Sequence, residues 1–154
     1  MTLTFGAEPK GRAFHELLHV FVGRAGSGGL VLDDPSPRAE TQELLAALGS
    51  KALREEETRR WPGSEVPEWA PASVLYTFSY DADVAEILFA HGPELFGWQQ
   101  CRLPCNFHLR APDGSVLLGS LTAEDDAWVE LSPKEWRALV DETQELRHVP
   151  VRED

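Results

Sequence analysis

Apolar residues repeat along this chain with two periods, and the switches between them predict its elements. From about Arg12 to Arg24, Phe14, Leu17, Leu18, Phe21 and Val22 recur at helical spacing, which predicts one amphipathic helix. Gly23, Gly26, Gly28 and Gly29 then predict a flexible loop, followed by a short strand at Leu30–Leu32. Leu3–Phe5 predicts another short strand. Ser36 and Pro37 suit an N-cap and a first helical position, so a second helix is expected to run to Gly49 with Leu44, Leu45 and Leu48 inward. Val74–Tyr80 alternates and is rich in β-branched and aromatic residues, which predicts a strand. Asp81 or Asp83 is placed to cap a third helix carrying Val84, Ile87 and Leu88, with Gly92 just past its end.

The last third has the sharpest signals. Asn106–Arg110 and Ser115–Leu121 flank Pro112-Asp113-Gly114, where proline presets φ and glycine tolerates a positive one, so a hairpin is expected. Ala127–Leu131 extends it to a meander after the acidic turn Glu124-Asp125-Asp126. Ser132-Pro133-Lys134-Glu135 has the spacing of a capping box and opens a final helix with Trp136, Leu139 and Val140 inward. Between Ser50 and Ala72 the pattern weakens. KALREEETRR is charged on most sides and reads as a short solvated helix or a loop, and the three prolines of WPGSEVPEWAP exclude a regular interior element. These elements form one globular domain over residues 1–154. The expected class is α+β, an antiparallel sheet with a C-terminal β-meander and helices packed mainly on one face.

Charge changes the picture more than composition does. Fourteen basic residues stand against 26 acidic ones, a net charge of −12, so the surface repels phosphate backbones and anionic lipid and attracts a basic partner. No apolar run is long enough for a membrane span, and no secretory signal is visible, so the chain reads as cytoplasmic. Cys101 and Cys105 then read as reduced thiols, and C-x3-C without a second pair is a weak metal signal. The preference for arginine over lysine, with frequent alanine, glycine and proline, is associated with GC-rich bacterial genomes.

One motif suggests chemistry. His15-Glu16-Leu17-Leu18-His19 matches H-E-x-x-H, in which two imidazoles one helical turn apart hold zinc and the glutamate is general base for a metal-bound water. Over these five residues the chain resembles the zincin metallopeptidases. The resemblance implies His15 and His19 as zinc ligands and Glu16 as base. Against it, only fourteen residues precede the motif, too few for the upstream sheet of a zincin. Val22 and Ala25 stand where the extended pattern needs glycine and histidine. Glu40 or Glu43 is the candidate third ligand. The competing reading, which we prefer, makes both histidines half-buried flanks of an amphipathic helix. Ala25–Gly29 falls short of a nucleophile elbow, and Gly6–Gly11 is followed by Arg12 and Ala13 where a phosphate loop needs lysine and a hydroxyl.

Leu103-Pro104, Arg110, Asp113-Gly114 and Leu118-Gly119-Ser120, followed by an acidic turn and a helix, are similar to the closing hairpin of small bacterial proteins in the style of polymorphic-toxin immunity proteins. That resemblance implies a binding role and no catalytic residue. The expected function is therefore that of a non-enzymatic, acidic, immunity-like protein neutralising a basic protein partner. Trp61, Trp69, Glu124, Asp125 and Asp126 are the candidate contacts, the two tryptophans serving either as interface anchors or as pins for their loop. The alternative is a zinc-dependent hydrolase.

Overall fold

A computed structural model of the chain describes residues 1–32, 38–98 and 103–154. Its strands are β1 (Leu3–Phe5), β2 (Ser27–Leu32), β3 (Ala52–Thr58), β4 (Arg60–Trp61), β5 (Ser64–Glu65), β6 (Ser73–Ser79), β7 (Cys105–Arg110), β8 (Val116–Leu121), β9 (Asp126–Val129) and β10 (Val151–Glu153). Its helices are α1 (Arg12–Val20), α2 (Ala39–Leu48), α3 (Ala82–His91) and α4 (Pro133–Val140). Eight strands form one antiparallel sheet in the order β10-β1-β9-β8-β7-β2-β6-β3, and β4 and β5 form a separate two-stranded ribbon. The fold is thus α+β, with the expected meander β7-β8-β9 inside a wider sheet.

Register decides which side chains share a face. Gly28 opposes both Phe78 and Leu109, Leu109 opposes Leu118, and Leu118 opposes Val129, which also opposes Leu3. These larger side chains, together with Leu30, Tyr76 and Phe107, form one core with Phe14, Leu17 and Leu18 of α1, Leu44 and Leu48 of α2, Val84 and Leu88 of α3, and Trp136 and Val140 of α4. The opposite face holds a small cluster, Val31, Leu75 and Cys105, with Trp61 packed against it.

The caps follow the sequence. Asp81 accepts from the Val84 N–H at 2.9 Å, and Ser132 and Glu135 complete the capping box with Pro133 at the first helical position. α1 is shorter than its pattern, ending at Val20, although Phe21 remains buried. The expected cap at Ser36 and Pro37 lies outside the described residues, and Arg38 is the residue preceding α2.

Two expectations are corrected. Residues 52–58 are neither helix nor loop but the edge strand β3, hydrogen-bonded to β6. Exposed on both faces, it has no alternation of buried and free positions to read, and its ladder with β6 fixes it in the sheet. The glycines at 28 and 29 belong to β2 rather than to a flexible loop. A Cβ on Gly28 would sit 2.5 Å from the Phe78 ring, and one on Gly29 would sit 2.2 Å from the His108 imidazole, so both glycines leave room for a large side chain of the neighbouring strand.

Candidate functional site

The helix α1 presents its polar flank to α3. His15 and His19, one turn apart, both reach the same atom: Nε2 of each lies against Oε1 of Glu86, at 2.7 and 2.6 Å. Hydrogen bonds from the two imidazoles hold the Glu86 carboxyl below its usual range, so it accepts and each ring donates through Nε2. The rings lie 4.5 Å apart, and His15 stands edge-on to Phe89 at 4.8 Å, which fixes its orientation. The three ligand-type atoms all fall within 4.8 Å of one another, and all three side chains remain reachable by solvent. Glu40 and Glu43 are exposed on α2 and take no part in this cluster.

Glu16 turns elsewhere. Its carboxylate accepts from the backbone N–H groups of Gln144 at 2.6 Å, Glu145 at 2.8 Å and Leu146 at 3.2 Å. It thereby closes the open amino end of a short 3-10 turn, Leu146–His148, that leads into β10. Partial burial pushes its pKa up, but the three donors outweigh that and leave it below the ordinary carboxylate range. With both oxygens occupied by the main chain, Glu16 is not poised as a base beside the two histidines, and the role implied by the five-residue motif is corrected to a cap.

Acidic and basic side chains share β3 and its end, where Arg54 pairs with Glu56 at 3.3 Å. This strand closes one edge of the sheet, with Glu55, Glu56 and Glu57 in succession and Leu53 61% exposed. Near its end the Arg59 guanidinium donates to the Pro67 and Ala70 carbonyls, each at 2.6 Å, and so pins the turn that carries Trp69. Trp69 is 87% exposed. Trp61 differs: it packs on Val31, Leu75 and Cys105, with its indole Nε1 buried and unpartnered among the described residues. It is half-buried and holds its loop to this cluster. Glu124 ends a 3-10 turn, Asp125 takes a left-handed conformation with φ 51°, and Asp126 begins β9. Glu124 and Asp125 are exposed and Asp126 is half-buried.

On the same face as Trp61, a cleft of about 320 Å³ is lined by Arg54, Arg60, Arg110, Glu56, Thr77 and His108, among others. His108 is buried, donates from Nδ1 to the Asn106 carbonyl at 3.0 Å and lies over Gly29. Burial drives its pKa down to about 4, helped by the Arg110 charge and opposed by the Asn106 hydrogen bond, so the ring is neutral at pH 7. Cys105 is buried and its thiol donates to the Val31 carbonyl, a packing role, while Cys101 lies outside the described residues.

Sequence reasoning missed Glu86 and His108. The signal for Glu86 is indirect: Phe89, three residues on, falls beside the inward stripe of Val84 and Leu88, marking a flank of α3 that meets a neighbour. For His108 the signal is Gly29, a strand glycine that makes room for a ring on the adjacent strand. No helix is long and apolar enough to cross a membrane among the described residues. Comparisons with protein-family models, curated protein sequences and solved structures found nothing that matches this chain.

Proposed function

We propose that this chain is a non-enzymatic acidic protein that binds a basic protein partner, in the style of an immunity protein neutralising a toxin domain. The observation that carries this reading is the edge strand β3: its outer side has no partner strand among the described residues, and three consecutive glutamates run along it. A free edge offers main-chain N–H and C=O groups to an extended segment, and side-chain charge selects which segment is accepted. A basic segment is favoured over a second copy of this chain, because two bodies of net charge −12 repel during encounter. Trp69, exposed beside the end of the strand, supplies an apolar anchor that slows release. Glu124 and Asp125, exposed between β8 and β9 and apart from β3 in the sheet, add to the negative charge that accelerates encounter without forming the anchor. The zinc-hydrolase reading lacks its base, since Glu16 is committed to the main chain of residues 144–146.

The test is capture from extracts of native cells with tag-free bait at low salt, followed by reconstitution from purified components. The expected result is a basic protein that rebinds the purified chain at fixed stoichiometry and is released at about 1 M salt, where the Debye length shrinks to ~3 Å. Charge reversal with Glu55→Lys and Glu57→Lys, and separately Trp69→Ala, should abolish rebinding. Recovery of no basic protein, or equal rebinding by the reversed variant, overturns the reading.

A further inference from the structure

We propose that His15, His19 and Glu86 form a zinc site that clasps α1 to α3, a structural site and not a hydrolytic one. The donor set is two imidazole nitrogens and one carboxylate oxygen, which suits zinc and leaves a fourth position for water on the solvent side. The two histidines sit at i and i+4 on one helix, so their Nε2 atoms converge without any loop having to order. Present Nε2···Oε1 separations are 2.7 and 2.6 Å. Tetrahedral zinc with bonds of about 2.0–2.1 Å needs its ligands ~3.3 Å apart. A rotamer adjustment of Glu86, whose side chain is 59% exposed, opens those two separations, and rotation of the two imidazoles, whose ligand atoms lie within 4.8 Å, sets the third.

The carboxylate charge also favours a cation. One carboxylate oxygen now accepts from two Nε2–H groups. Zinc displaces both protons from Nε2, the tautomers shift to Nδ1–H, and the ion takes the place of two hydrogen bonds with three coordinate bonds. The Phe89 edge contact holds the His15 ring in place for this. The engagement of Glu16 with residues 144–146 separates binding from catalysis: the base that the five-residue motif assigns does not face the site.

Titration calorimetry of tag-free, chelator-stripped protein with zinc chloride should show one site per chain, and cobalt substitution should give the visible bands of a four-coordinate ion. Glu86→Gln, and His15→Ala with His19→Ala, should each weaken zinc binding by more than about tenfold, the scale on which lost metal-site groups act. Zinc should raise the thermal midpoint of the native chain and not that of the variants. If the histidine variants fail to fold, Glu86→Gln, a substitution on the exposed flank of α3, decides alone. Native-strength zinc binding by Glu86→Gln, or zinc binding by the native chain no tighter than by the double histidine variant, overturns the proposal.

Discussion

The two faces of the sheet treat their residues differently. On the face that meets the helices, large apolar side chains from six strands join residues of all four helices in one core. Polar groups around those helices are tied to one another or to main chain: Glu16 to residues 144–146, Lys51 to Asp81 at 2.5 Å, and the Tyr80 hydroxyl to the Leu18 carbonyl at 2.5 Å. Among the described residues the other face has the small cluster of Val31, Leu75, Cys105 and Trp61 and the arginine-lined cleft over the buried His108. It also carries the buried Trp61 Nε1, which has no partner among the described residues. Hydrophobic burial is the dominant favourable term in folding, so stability concentrates on the first face and the second is left freer to carry polar chemistry.

The sharpest test removes one large side chain from each face. Phe78 is fully buried under the helices, and Phe78→Ala should cost about 3–5 kcal/mol. Leu75→Ala, from the small cluster on the other side, should cost about 2 kcal/mol, the low end for its class, because few neighbours lose contact. Urea unfolding with an unchanged m value measures both. Equal costs would erase the asymmetry.

The next largest effect lies on the second face and depends on pH. The folded-state pKa of His108, about 4, lies below the ordinary histidine value of 6.5, so the unfolded chain takes up the proton first. The stability that neutral His108 confers is complete above pH 6.5 and is lost as pH falls towards 4. The loss amounts to about 3 kcal/mol at 1.36 kcal/mol per pKa unit. Unfolding of the native chain and of His108→Leu across that range gives the contribution by difference. A flat difference would place His108 in contact with water.

What was legible in the chain divides along the same line. Elements that bury one stripe announce themselves: α1 through Phe14, Leu17 and Leu18, β6 through its alternation, and α4 through Ser132, Pro133 and Glu135. β3 could not be read this way, because a two-sided exposed edge carries no burial pattern and its glutamates resemble those of a solvated helix. Gly28 and Gly29 mimicked a loop because their reason is a neighbour on another strand. At the candidate zinc site, the spacing of His15 and His19 was visible, but the partner 67 residues away from His19 was not. Glu16 was assigned by motif to a water, whereas the tertiary fold gives it three amide donors.

Gly29→Ala probes how tightly the second face is built around His108. The new methyl would lie 2.2 Å from Nε2 and 2.4 Å from Cε1 of a ring that has little room to move. The expected cost is about 1–3 kcal/mol, as for overpacking elsewhere. In a His108→Ala background the three atoms nearest the methyl are gone, so its cost should fall towards that of strand propensity alone. A double-mutant cycle by urea unfolding measures the coupling, and additive costs would show that the imidazole does not rest on Gly29.

The smallest effect bears on the helix side, where polar groups are held by the fold. Glu16→Gln replaces an acceptor-only group by one that turns an NH2 towards backbone donors, and should cost about 1 kcal/mol at pH 7, the scale of a lost cap. The folded pKa of Glu16 is depressed, so its contribution is complete above the unfolded value and disappears as pH falls through the lower folded one. Native and Glu16→Gln chains should therefore converge in stability in acid. Zinc affinity should be the same for both, because the carboxylate that reaches the histidines is that of Glu86. If Glu16→Gln instead left stability unchanged and removed a zinc-dependent hydrolysis, Glu16 would face the ion, and the helix side would hold a reaction centre.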